Sequence, residues 1–345
     1  MAFLKPKGTF LDYPATNPSL EESSVAMLGI GFDLTASFGK GAVLGPHAII
    51  GASRQLENEA GATGKRLYEK AKIHNLGILE YNYKKKLSKK QVEKETKKIV
   101  SEAQKLLKKP VEQKKFLMIF GGDHSTTNPT LNALTEKIDG KKIAWLRLDA
   151  HLDLRQALED NPLSHGSIGR RVFDKGIKQV FVGIRDQIST EEQEFIAKNN
   201  LADDVFYFAT QPEEMYDERL PAWIKKENIS FTGHFTTQQV QKILSKLDRE
   251  YLFINIDIDC LDANEFAGTG TPMPFGMSYR SLNDFLFAVI KNGQEKGTTI
   301  LGFDIVEVFP ILRDWKKGYS FENAAVTPNE MKAALLAYNL LNWVF

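Results

Sequence analysis

Three side chains able to bind a metal ion fall within the five residues Asp149-Ala-His-Leu-Asp153, directly after the apolar run 143–148. On an extended strand, residues two apart project to the same side, so Asp149, His151 and Asp153 can converge where the strand leaves its sheet. Two carboxylates and an imidazole suit a divalent first-row ion such as manganese or zinc. A strand followed by a polar turn, with Asp149 or Asp153 capping the next helix, would use the same residues. The same grammar recurs twice. The apolar run 116–120 leads into Gly121-Gly-Asp-His124-Ser125, and 251–256 ends in Asp257-Ile-Asp259. In an open parallel α/β sheet, ligands collect beyond the carboxyl ends of the strands. Three such ends place His124, Asp149, His151, Asp153, Asp257 and Asp259 in one basin. Six ligands with four negative charges exceed the needs of one tetrahedral ion. Two divalent cations sharing bridging carboxylates would balance them, ~3.5–4 Å apart as in two-metal hydrolases. Such a pair lowers the pKa of a shared water, so the expected chemistry is hydrolytic.

Residues near these clusters acquire candidate roles. His165, in Ser164-His-Gly-Ser167, follows the second cluster in a polar loop. It is a candidate proton shuttle, since imidazole titrates near neutral pH, or else a surface histidine without a role. Glu307 lies just past the apolar run 300–306. A carboxylate not needed by a metal is suited to grip a cationic substrate group; the bland alternative is a surface acid paired with Arg313. The single cysteine, Cys260, directly follows the acid pair. It reads as a nucleophile or, by the commoner pattern, as a small buried apolar residue. His47, His74 and His234 fit no cluster and read as structural or solvent-facing.

Short apolar runs alternate with amphipathic segments along the chain, the pattern of an α/β protein with a mainly parallel sheet. Strands are expected at 25–30, 73–78, 116–120, 143–148, 180–184, 205–208, 252–256 and 300–306. Ser88 and Gln91 form a capping-box pattern, and Val92, Ile99, Ala103, Leu106 and Leu107 mark one helical stripe behind it. Thr327-Pro-Asn-Glu330 opens a last helix with an N-cap, a proline at N1 and a glutamate at N3. Its apolar residues up to Phe345 must pack on the sheet or on a second subunit. The stretch Gly268-Thr-Gly-Thr-Pro-Met-Pro-Phe-Gly276 follows the third acid cluster and is expected to shape the site. No internal repeat or linker divides the chain, so residues 25–345 read as one domain behind an N-terminal extension, 1–24.

At 345 residues the chain can bury a large core. With 45 basic and 44 acidic residues its net charge is +1, which provides no global field for nucleic acid or an anionic membrane. The lysines between Lys84 and Lys115 alternate with glutamates and lack aromatic stacking partners, so they read as a solvated helix face. One cysteine allows no internal disulfide, and no secretory signal or ~18-residue apolar span is visible. A cytoplasmic protein with a small substrate is expected.

The motifs resemble those of the ureohydrolases, the family of arginases and agmatinases. Gly-Gly-Asp-His-Ser at 121–125, Asp-Ala-His-Leu-Asp at 149–153, Ile-Asp-Ile-Asp-Cys-Leu-Asp at 256–262, Gly-Thr-Gly-Thr-Pro at 268–272 and Asp-Ile-Val-Glu-Val at 304–308 follow the family order. The resemblance implies a three-layer α/β/α fold around a mostly parallel eight-stranded sheet, with two Mn2+ per subunit. It implies His124 as ligand of one metal and His151 of the other, Asp149 and Asp257 as bridges, Asp153 completing the first site and Asp259 the second. It further implies that Glu307 binds the guanidinium, that Asp153 protonates the leaving amine and that His165 shuttles protons. Products would be urea and an amine. Homo-oligomers, commonly trimers or hexamers, are usual in the family.

Arginases hold the amino-acid end of their substrate with a Ser-Gly-Asn turn, where this chain has Asn161-Pro-Leu-Ser164. The wording Asp-Leu-Arg at 153–155, Leu-Ser-His at 163–165 and Val-Gly-Ile-Arg at 182–185 is similar to prokaryotic agmatinases, which makes agmatine, cleaved to putrescine and urea, the first expectation. Guanidinobutyrate, guanidine, arginine and formiminoglutamate are the alternatives within the class, and a non-catalytic binding or assembly protein is the alternative outside it. A two-metal phosphoesterase would want an Asn-His pair, whereas Asn75 follows His74. The chain departs from agmatinases in carrying apolar residues at two usual arginine positions within 43–50, Asn255 for a common serine and Ala263 for a common proline.

Overall fold

The computed structural model describes residues 2–4, 10–12, 16–60, 64–81, 87–185, 188–216, 220–310 and 327–345. Its strands are β1 (Ala2–Leu4), β2 (Val25–Gly31), β3 (Glu59–Ala60), β4 (Lys65–Arg66), β5 (Ile73–Glu80), β6 (Phe116–Phe120), β7 (Ile143–Leu148), β8 (Lys178–Ile184), β9 (Val205–Phe208), β10 (Ile229–Ser230), β11 (Tyr251–Asp257) and β12 (Thr299–Val306). The helices are α1 (Gly45–Ser53), α2 (Leu67–Lys70), α3 (Lys89–Glu112), α4 (Asn128–Thr135), α5 (Ile168–Asp174), α6 (Thr190–Lys198), α7 (Thr237–Lys246), α8 (Tyr279–Lys296) and α9 (Pro328–Val344).

All eight expected strands are present, in a sheet of ten ordered β1-β5-β2-β6-β12-β11-β7-β8-β9-β10. Nine run parallel, and β1 pairs antiparallel with the β5 edge. The two strands beyond the expected eight, β1 and β10, have three and two residues, too few for a period-2 pattern to register. β3 and β4 form a separate antiparallel pair.

The central strands are buried along their whole length because helices cover both faces. Along β6, Phe116, Met118 and Phe120 enter one core cluster, shared with α1, α8 and α9. Leu117 and Ile119 enter the other, shared with α3, α4 and α5. In that second cluster Trp145 of β7 packs on Phe253 of β11, with ring centroids 4.4 Å apart. Helix α3 starts at the Ser88–Gln91 capping box and buries Ile99, Ala103 and Leu107 of the expected stripe. Helix α9 starts at the Thr327–Glu330 box and lays Leu340 and Leu341 into this chain's own core, with Trp343, Val344 and Phe345 packed partly buried against it. Among the described residues no helix is long and apolar enough to cross a membrane.

Candidate active site

Strands β6, β12, β11 and β7 are consecutive neighbours in the sheet, and every expected ligand stands at the carboxyl end of one of them. The chain leaves β6 through Gly121 and Gly122. A Cβ on Gly122 would lie 1.9 Å from the Phe32 carbonyl oxygen, so only glycine lets this loop pass the end of β2. His124 then opens a short 3-10 turn, His124–Thr127. Asp123 serves the loop instead of the basin. Its Oδ1 accepts from the Ser125 amide and its Oδ2 from the amide and hydroxyl of Thr35.

The basin gathers all six expected ligands. His124 Nδ1 lies 3.1 Å from Asp153 Oδ2, 3.1 Å from Asp257 Oδ2 and 3.4 Å from Asp149 Oδ2. His151 Nδ1 lies 3.0 Å from Asp259 Oδ2 and 3.5 Å from Asp149 Oδ1. Two groups of ligand atoms, His124/Asp149/Asp153 and Asp149/His151/Asp259, each fall within 4.8 Å, and they share Asp149. Asp153 adopts φ +50°, a left-handed turn that brings its carboxylate back under His124.

So many acids out of water demand positive charge. Burial opposes protonation of His124, yet Asp153, Asp257 and Asp149 outweigh it and hold this imidazole well above its usual pKa. Burial is likewise outweighed at His151, which Asp259 and Asp149 hold well up. Burial and neighbouring carboxylates push Asp257 well up and raise Asp149. Burial also works against ionised Asp153, but His124 and Arg147 prevail and hold it below the carboxylate range. Without cations the imidazoles carry the compensating protons themselves. The donor set therefore fits divalent ions: buried His124 Nδ1 makes no hydrogen bond among the described residues and faces three carboxylates.

Beneath the basin lies a polar row outside the expected ligand set. Arg147, Asn255 and Asp304 occupy matched positions on β7, β11 and β12, and all are fully buried. Asn255 Oδ1 accepts from His124 Nε2 at 2.9 Å, and its Nδ2 donates to Asp304 Oδ1 at 2.7 Å. Asp304 Oδ2 accepts from the Thr127 hydroxyl at 2.7 Å. This chain holds the proton on Nε2, so that Nδ1 is the nitrogen that would give up its proton and offer its lone pair to a cation. Asn255→Ala is expected to weaken cation binding by roughly 10–100-fold with the fold retained, as read by a metal titration beside circular dichroism. The signal was available: each of the three is a lone polar residue in an apolar strand, two or three positions before a candidate site residue.

A cavity of 330 Å³ opens from the ligands toward solvent. Glu307 and His165 both line it. Glu307 stands at φ +60°, which turns its side chain in; Oε1 accepts from the His124 amide at 2.8 Å. Burial, Asp257 and Asp123 push its carboxyl well up. Arg313, the alternative partner for Glu307, lies outside the described residues. His165 is held by its amide to the Thr35 hydroxyl, and burial pushes its imidazole below the usual value, so it stands neutral and able to accept a proton. The Gly268–Gly276 stretch does border the site: the Thr271 hydroxyl donates to Asp259 Oδ2, and Met273 lines the cavity.

Cys260 is fully buried, and burial followed by Asp259 and Asp257 pushes its thiol well up, the environment of an inert packing residue. His47 pairs with Glu80 at 2.7 Å, His74 Nδ1 bonds the Pro18 carbonyl, and His234 stands exposed. None of the three lines the cavity.

A mainly parallel sheet covered by helices on both faces, with acids and imidazoles converging from the ends of β6, β7 and β11 and Glu307 beyond β12, defines a metal-site hydrolase architecture. The arginase family model matches residues 23–327, and the chain belongs to that family. It is 30% identical over 297 residues to an N(1)-aminopropylagmatine ureohydrolase of Thermus thermophilus, covering 84% of each chain. It is 26% identical over 298 residues to the agmatinase of Bacillus anthracis, covering 86% of this chain and 87% of the relative. Among solved structures, the agmatine ureohydrolase of Thermoplasma volcanium superposes with a TM-score of 0.66 at 22% identity, covering 95% of this chain and 92% of that one. The Bacillus subtilis arginase gives 0.65 at 21% identity, covering 92% and 98%, so the expected arginase-like fold is borne out.

Proposed function

We propose that this chain hydrolyses the terminal guanidino group of a small substrate to urea and an amine, using two divalent cations, with manganese the ion of choice. The supporting observation is Asp149, shared by two ligand groups beside a cavity that Glu307 also lines. His124, Asp149, Asp153 and Asp257 would hold one ion, and His151, Asp149, Asp257 and Asp259 the other. Bound cations supply water activated for attack at neutral pH. Glu307 keeps Oε2 available, since Oε1 is taken by the His124 amide, and receives the guanidinium nitrogens. As water adds to the guanidinium carbon it gives up a proton to the Asp153 carboxylate, and Asp153 returns that proton to the substituted nitrogen as its bond to carbon breaks and the amine departs. His165, neutral in the cavity wall, exchanges protons with solvent.

The relatives named agmatinase and N(1)-aminopropylagmatine ureohydrolase make agmatine the first substrate, and Leu158, Ile184, Ile188 and Met273 give its methylenes apolar walls. A second reading rests on Arg155. It also lines the cavity, and its guanidinium has no hydrogen-bond or ion-pair partner among the described residues. A cation there without a partner among the described residues favours an ω-guanidino carboxylate such as guanidinobutyrate. Urea release from manganese-loaded protein, with agmatine, guanidinobutyrate and arginine compared, decides. Agmatine turnover that survives or improves in Arg155→Met supports the first reading; guanidinobutyrate turnover lost in that variant supports the second. No urea from any guanidino compound overturns the proposal.

A further inference from the structure

Arg147 sits two residues before Asp149 in a strand that is otherwise apolar, and it is fully buried. Its Nη2 donates to Asp149 Oδ2 at 2.8 Å and to Asp153 Oδ2 at 2.9 Å, and Nη1 donates to the Leu152 carbonyl at 2.9 Å. The guanidinium lies 5.4 Å from the centroid of the Phe181 ring. Room for it depends on Gly169, where a Cβ would approach Nη1 to 2.2 Å. The arginine is thus fixed against the back of two carboxylates. The oxygens it holds are the ones His124 Nδ1 faces. Those facing His151, Asp149 Oδ1 and Asp259 Oδ2, receive nothing from it.

We infer that Arg147 is a positioning residue that acts as a permanent counter-cation to Asp149 and Asp153: it keeps their carboxylates aligned before any cation binds and weakens cation binding on the His124 side. The inference rests on the two-cation reading above. A guanidinium hydrogen-bonded to a carboxylate oxygen draws density from the lone pairs a metal would use, and its fixed charge repels a second cation across a short, dry distance. Its other consequence is structural. Two desolvated carboxylates facing one imidazole repel each other, and a fixed guanidinium between them allows the cradle to form before any ion arrives.

The test is manganese(II) titration of chelator-stripped protein, with stoichiometry, dissociation constants and the metal-induced rise in Tm measured together. In Arg147→Met, the weaker of the two dissociation constants is expected to fall at least tenfold, and the Tm rise on loading to grow because the metal-free protein is less stable. Arg147→Lys, which keeps the charge, is expected to bind with wild-type affinity. Arg147→Gln serves as the neutral variant if the methionine variant does not fold. Unchanged or weaker binding in a folded neutral variant overturns the inference and leaves the two-cation reading standing. Wild-type protein that binds no manganese overturns both.

Discussion

Asp149→Asn is expected to strip the centre of both cations and to lower urea formation by at least ~10³-fold, a transition-state loss of about 4 kcal/mol. Asp149 is the residue that the two ligand groups found among the described residues share. Its Oδ2 faces His124 and takes the Arg147 hydrogen bond, while Oδ1 takes the His151 amide at 2.6 Å and faces the His151 ring. An asparagine offers one neutral oxygen where two anionic ones are used, and its NH2 would point at an imidazole or at the guanidinium. Asp123→Asn is the informative companion. Asp123 is equally buried and only a few residues from the basin in space, but its oxygens are spent on Thr35 and Ser125. That variant is expected to keep its cations. Metal content after gel filtration, read beside urea release, separates the two. Retention of both ions by Asp149→Asn would remove the bridging role.

The basin was legible because its logic is local. A ligand two residues from another at a strand end faces the same way whatever surrounds it, so 149/151/153 and 257/259 could be read in pairs. That β6, β12, β11 and β7 would lie side by side was not local, and the recurrence of one strand-end pattern stood in for that knowledge. The polar row was harder. In the sequence Asn255 stands out only as a departure from a common serine, and Arg147 is one residue of the run 143–148 that reads as apolar. Their meaning depends on the register that lines them up with Asp304, which strand pairing alone supplies. Strands β1 and β10 were invisible because two or three residues carry no period. The cavity walls were illegible for a similar reason. Arg155, Leu158, Ile188 and Met273 come from three loops whose meeting no spacing encodes.

Chelation is expected to cost the folded protein more at about pH 8.5 than at about pH 6. In the metal-free centre, burial and like charge hold Asp149, Asp257 and Glu307 above the usual carboxylate pKa, and the surrounding acids hold His124 and His151 above the usual imidazole pKa. The folded chain therefore binds more protons than the unfolded chain from about pH 4 upward, and its stability falls as pH rises. The part due to the two histidines is complete below about pH 6.5 and is lost as pH climbs through their raised folded values. Asp153, Asp259 and His165 are shifted the other way: the contribution of the two acids is lost only on acidification below about pH 4, outside this window, and neutral His165 offsets part of the loss as pH passes about 6.5, one group against the two raised histidines. Divalent ions take the place of those protons, which leaves the loaded protein nearly insensitive to the same change. An ion present at ~1,000 times its Kd adds about 4 kcal/mol per site. Two sites would then separate loaded and stripped protein by roughly ten degrees of Tm, more at the alkaline end. Scanning calorimetry of both forms at the two pH values measures it. A gap that narrowed as pH rose would mean that the ions do not displace the histidine protons, and would place them away from His124 and His151.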